Sequence, residues 1–187
     1  FSNWGTIKVY STATALDAIS THLLNGKLYP DFREWPPEKP AVEFCAVEPY
    51  RPSTIEGYRV LALPVNHGIP TVGYEVTSSD GKAVFYTGDT GPGLSRCWEY
   101  ISPDLLITEA SGTNEFEEKA REAGHLTPGL LKQELIQFQK LKGYLPPVIV
   151  IHLSLPMQEQ VEEELKEVAA ELGASITPGW EGMKVTV

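Results

Sequence analysis

The hydrophobic period of this chain changes at one stretch, residues 83–92 (AVFYTGDTGP), and that change limits the fold more than any other feature. Before it, residues 42–47, 58–65, 71–77 and 83–86 alternate or run apolar, which predicts strands. Turn residues at 49–57, 67–70 and 78–82 separate them, and Ser79-Asp80-Gly81-Lys82 reads as a hairpin. After Asp89 helices alternate with strands: a short helix over 94–101, a strand over 105–108 and a helix over 115–123. A helix opened by Pro128 then runs to about Leu141, 148–151 is a β-branched strand, and 157–172 is a helix ended by Gly173. Residues 183–187 are expected to close the chain as a strand. A meander followed by alternating helix and strand predicts an α/β fold, layered with the helices outside the sheet.

The N-terminal part is read separately. Residues 7–10 form a short strand, and Ser11 or Thr12 caps a helix that Asn25-Gly26 ends. Ala15, Leu16, Ile19, Leu23 and Leu24 share one face of it, and His22 is expected to be structural or exposed rather than a ligand. Residues 28–40, rich in proline and aromatics, form a loop that is either a substrate-pocket rim or a packed surface Ω-loop.

Charge narrows the function. The chain of 187 residues is one domain's length and carries a net charge of −10, which opposes broad electrostatic capture of nucleic acid. A phosphate ester held locally by metal ions is still allowed. No apolar run approaches the roughly 20 residues of a membrane span. Cys45 and Cys97 have neither metal-site spacing nor a disulfide framework, so a reducing cytoplasm is the expected compartment.

Four polar groups follow or end predicted strands: His67, Asp89, Glu109 and His152. An aspartate after a buried strand either caps the next helix through an Asx-turn or meets a cation. His, Asp and His are suitable ligands for zinc or a similar ion, and strand ends of one layered fold gather at one edge. His125 lies in a Gly-flanked loop before a helix, where it caps the loop, contacts an anion or protonates a leaving group. Glu109 either orients His125 by accepting a ring N–H or bonds backbone amides.

Several segments in this order resemble the phosphodiesterase branch of the metallo-β-lactamase superfamily. Val65-Asn66-His67-Gly68-Ile69-Pro70-Thr71-Val72-Gly73-Tyr74 is similar to the histidine segment of ribonuclease Z and of class II cyclic-nucleotide phosphodiesterases. Thr87-Gly88-Asp89-Thr90-Gly91-Pro92 resembles the segment of the bridging aspartate, and Val150-Ile151-His152-Leu153-Ser154 that of the last metal ligand. Gly124-His125-Leu126-Thr127-Pro128 resembles the motif whose histidine faces the scissile phosphate. Two features lean to the cyclic-nucleotide class: the pattern from Ala15 through Leu28-Tyr29-Pro30-Asp31-Phe32, and a tight hairpin where ribonuclease Z usually carries its tRNA-gripping insertion. Glu109-Ala110-Ser111-Gly112-Thr113-Asn114 departs from that class in lacking its usual Phe-Pro.

The resemblance implies an αββα sandwich, with residues 1–187 as a single domain forming the C-terminal portion of that fold. The superfamily's H-x-H-x-D-H motif is absent from these residues, and family position places it upstream of Phe1. The implied activity is hydrolysis of 3′,5′-cyclic nucleotides by a hydroxide that two divalent ions activate. Zinc is the expected ion, with manganese as the other candidate. His67, Asp89 and His152 are the implied metal ligands, and His125 with Glu109 the implied catalytic pair. The alternatives are an RNA 3′-end endonuclease, a thioester hydrolase, or a non-catalytic module without the first metal motif. A small phosphodiester is the expected partner, without extended nucleic acid or membrane, and a homodimer is compatible. Without the upstream motif, residues 1–187 alone are expected to bind metal weakly and turn over little.

Overall fold

The computed structural model describes residues 5–187. The chain divides into two compact units, Phe1–Arg51 and Pro52–Val187. In the first, strands β1 (Ile7–Ser11) and β2 (Val42–Ala46) pair in parallel, and helix α1 (Ala13–His22) connects toward β2. The Thr12 side chain caps α1 by accepting the Ala15 N–H. The helix stops short of Asn25 for a local reason. Asn25 Oδ1 accepts the N–H groups of Lys27 and Leu28 while its Nδ2 donates to Thr21 O, and this turns the chain early. His22 is the exposed last residue of α1.

The second unit holds a seven-stranded sheet in the order β3 (Ser53–Ile55), β4 (Tyr58–Val65), β5 (Thr71–Thr77), β6 (Ala83–Tyr86), β7 (Leu105–Glu109), β8 (Val148–Ile151), β9 (Ile176–Pro178). Strands β3 to β6 are antiparallel and β6 to β9 are parallel. Strands β4, β5, β6 and β8 have their expected bounds. The closing strand does not form over 183–187. Instead Val148 N–H bonds Ser175 O and Gly179 N–H bonds Val150 O, which lays 176–178 along β8. Strand β3 falls where a turn was expected, as three residues zipped onto the start of β4.

Parallel neighbours require crossovers, and the helices supply them. They are α2 (Ser95–Trp98), α3 (Glu117–Ala123), α4 (Pro128–Lys142) and α5 (Gln158–Leu172). Helix α2 is shorter than expected because Tyr100 N–H turns back to Cys97 O. Short 3₁₀ turns at Asn114–Phe116 and Leu155–Met157 precede α3 and α5. Thr127 caps α4 by accepting Leu130 N–H, with Pro128 in the first turn. Phe85, Leu106, Val148 and Val150 of the sheet are buried with Leu130, Leu131, Leu135, Phe138, Val161 and Leu165 of the helices. Trp98 sits edge-on to both Phe85 and Phe138, at 5.9 and 5.1 Å between ring centroids. The mixed α/β class expected from the pattern is therefore the class observed. No helix among the described residues is long and apolar enough to cross a membrane.

Because β4 and β6 both run antiparallel to β5, β4 points the same way as β6, β7 and β8. Their C-terminal ends share one edge of the sheet, the edge at which open α/β sheets bind ligands.

Candidate metal centre

His67 and Asp89 follow β4 and β6, Glu109 ends β7, and His152 follows β8. Strand β5 separates β4 from β6, a gap of about 10 Å at ordinary strand spacing. Residues beyond the strands close it. Asn66 O accepts Gly91 N–H at 2.6 Å, and Asn66 Nδ2 donates to Pro92 O at 2.9 Å. From the other side comes Gly124, the left-handed C-cap of α3 at φ +76°. Its backbone lies so close that a Cβ there would stand 2.8 Å from His67 Cα.

All three site histidines have Nδ1 against an oxygen. His67 Nδ1 is 2.9 Å from Gly124 O, His125 Nδ1 is 2.8 Å from Glu109 Oε1, and His152 Nδ1 is 2.9 Å from Asp89 Oδ1. A backbone carbonyl only accepts, so His67 Nδ1 carries the hydrogen and Nε2 is the ring nitrogen left to meet a ligand. His125 stands edge-on between the other two rings, 4.9 Å from His67 and 5.4 Å from His152. His152 has φ +56°, a left-handed conformation that costs a non-glycine residue about 1–2 kcal/mol. Strain of this kind clusters at functional sites.

The two carboxylates differ. Glu109 is 1% exposed; Oε1 also accepts Thr90 N–H at 2.7 Å, and Oε2 faces Leu126 N–H at 3.4 Å. Its oxygens are committed to donors, as suits a group that orients an imidazole. Asp89 is half-exposed beside His152. Glu109, His125 and His152 each offer a ligand atom within 4.8 Å of the others, with Asp89 against His152 and His67 against His125. Imidazole nitrogens and carboxylate oxygens at one edge form a donor set that fits a divalent ion such as zinc. All five residues singled out in the sequence thus meet at one place.

Glu134 was missed. It lies on α4, 3% exposed, and its Oε1 accepts Gly93 N–H at 2.8 Å, in the loop after Asp89. A signal existed: Glu134 falls on the helical stripe of Leu130, Leu131, Leu135 and Phe138. Burial raises its pKa above the ordinary 4.5, and likewise that of Glu75 on β5, which pairs with Arg59 at 3.2 Å. Their folded forms hold protons that the unfolded chain releases, so this stability is full below about pH 4.5 and is lost as pH rises through the folded values. Three aspartates act oppositely. The Arg33 side chain lowers the pKa of Asp31, the Ser78 hydroxyl that of Asp80, and the Ala83 N–H that of Asp104, from the ordinary 3.8. Their contribution disappears as pH falls below that value. Thermal unfolding should therefore show a higher melting temperature near pH 5 than at pH 8, and Glu134→Gln should flatten the fall.

A family model for the Beta-lactamase superfamily domain matches residues 6–153. The chain belongs to that superfamily. A search of curated protein sequences finds no match. Among solved structures, unliganded yeast PDE1 superposes with a TM-score of 0.79 at 20% identity, over 95% of this chain and 59% of its own. The metallo-β-lactamase fold protein YhfI from Bacillus subtilis gives 0.69 at 18% identity, over 95% and 64%. Human tRNase Z, short form, gives 0.62 at 21% identity, over 99% and 69%. The chain thus spans less than two thirds of yeast PDE1 and of YhfI. At these identities the likeness is one of fold, and the beta-lactamase superfamily chain shares the metallo-β-lactamase fold.

Proposed function

We propose that this superfamily chain carries the site of a metal-dependent phosphodiester hydrolase acting on 3′,5′-cyclic nucleotides. One observation carries the reading: His125, with Nδ1 on the buried Glu109, stands between His67 and His152 at the sheet edge. In this reading His67, Asp89 and His152 hold two divalent ions, zinc or else manganese. Such ions supply an activated water and positive charge for the phosphoryl oxygens. His125 gives its Nδ1–H to Glu109 and presents Nε2 to the substrate, where it donates a proton to the leaving oxygen. The Glu109 carboxylate fixes the ring's orientation. The product is a nucleoside monophosphate.

A small substrate is supported by the net charge of −10, which repels a polyanion. It is also supported by the tight turn between β5 and β6, closed by Ser78 N–H to Lys82 O at 2.9 Å. The likeness to yeast PDE1 leans the same way, while the likeness to human tRNase Z makes RNA the reading to test against. Free Cys45 and Cys97 suit a reducing cytoplasm.

The test is metal content together with hydrolysis of a panel of cyclic nucleotides, 3′-extended tRNA and thioesters by the complete protein. Two ions per chain and turnover of cyclic nucleotides are the expected result. Turnover confined to RNA or thioesters would overturn the substrate, and neither metal nor turnover would overturn the hydrolase.

A further inference from the structure

Glu134 is a buried carboxylate that the hydrolytic reading does not use. It lies among Leu130, Leu131, Leu135 and Phe138, and its Oε2 has no hydrogen-bond partner among the described residues. Oε1 holds Gly93 N–H, and the amides of Leu94 and Ser95 face the carboxylate. A carboxylate taken from water costs several kcal/mol before compensation, so a methionine or leucine would fill this core position at less cost.

Its effect falls on residues 90–93. Thr90 N–H is held by Glu109 and Gly91 N–H by Asn66 O; Pro92 has no N–H and its carbonyl accepts from Asn66; Gly93 N–H is held by Glu134. Every N–H between Asp89 and Leu94 therefore has an acceptor. The three anchors come from the neighbour of His67, the partner of His125, and the helix that starts at Pro128, three residues after His125. Gly93 has φ +120° and open space where a Cβ would stand, so hydrogen bonding rather than packing secures it.

We propose that Glu134 is a positioning residue: it anchors the Gly91-Pro92-Gly93 turn to α4 and so sets where Asp89 stands relative to His125 and His152. The functional part of this rests on the reading of Asp89 as a metal ligand. Two variants of the complete protein test it. Glu134→Met fills the same space without an acceptor, and Glu134→Gln keeps an acceptor oxygen for Gly93. Each is compared with wild type by thermal unfolding, amide hydrogen exchange at Gly93 and Zn²⁺ affinity in competition with a chromophoric chelator.

Glu134→Met should melt at or above the wild-type temperature, as buried ionic groups replaced by apolar ones often do. Its Gly93 amide should exchange at least about tenfold faster, and Zn²⁺ should bind about 10-fold more weakly, the lower end for outer-shell changes at metal sites. Glu134→Gln should restore both to near wild type. A Met variant with wild-type Gly93 protection and Zn²⁺ affinity would overturn the proposal. So would a loss of Zn²⁺ affinity that merely tracks a lowered melting temperature. Wild type that takes up no Zn²⁺ would overturn the metal reading instead, and exchange at Gly93 would still decide whether Glu134 anchors the turn.

Discussion

Gly124→Ala should destabilise the protein by about 3 kcal/mol and lower its Zn²⁺ affinity in the same step. Two costs combine. The φ of +76° at Gly124 is left-handed, which penalises a side chain by about 1–2 kcal/mol. The new methyl would also meet His67 Cα at 2.8 Å and Gly68 N at 2.9 Å, both backbone atoms. No rotamer change relieves a backbone contact, and overpacking of this kind costs about 1–3 kcal/mol. For a chain of this size the sum corresponds to a fall of about 10 °C in melting temperature. The displaced backbone is that of His67 itself, whose Nδ1 uses Gly124 O to set its tautomer. Gly143→Ala is the matched control: Gly143 caps α4 at φ +81° with no atom within 4 Å of the added methyl. It should cost about 1 kcal/mol and leave Zn²⁺ binding unchanged. Equal costs at the two glycines would mean that the close approach of these loops is not what seats His67.

Much of this arrangement was legible in the chain, and the reason is local. Strands β4, β5, β6 and β8 are written in apolar alternation or β-branched runs, and Thr127-Pro128 and Gly173 bound helices by capping chemistry. His67, Asp89, Glu109 and His152 stood out because each follows or ends a strand, and strand direction brings those ends to one edge; His125 stood out by its Gly-flanked loop before α4. Features set by tertiary contact were not. Strand β9 contains Pro178 and three residues in all, too few for a period, and exists because β8 offers it an edge. His152 adopts φ +56° with no glycine to announce it. Asn66 reads as an ordinary turn residue before His67, yet its contacts lie 25 and 26 residues away, at Gly91 and Pro92. Glu134 had a signal, an acid inside an apolar stripe, but its meaning depended on which loop lay opposite.

Asp89→Asn and Glu109→Gln should separate holding a metal from orienting an imidazole. Asp89 is half-exposed and meets His152, so its carboxylate is available to an ion; Glu109 is buried and already serves three N–H donors. Asp89→Asn should remove Zn²⁺ binding and nearly all hydrolysis while the fold melts within a few degrees of wild type, because an exposed pair of this kind contributes little stability. Glu109→Gln should keep Zn²⁺ within a few-fold and lower kcat by about 10²-fold, the lower range for general acid–base function. It should also cost about 1–2 kcal/mol of stability, since its NH₂ group faces the Leu126 N–H that the carboxylate accepted. His125→Ala should resemble Glu109→Gln in rate and metal content if Glu109 acts through that ring, and combining the two should then lose little more than either alone. The reverse pattern, with metal lost from Glu109→Gln and kept in Asp89→Asn, would move the ion to the cluster of Glu109, His125 and His152 and leave Asp89 to orient His152.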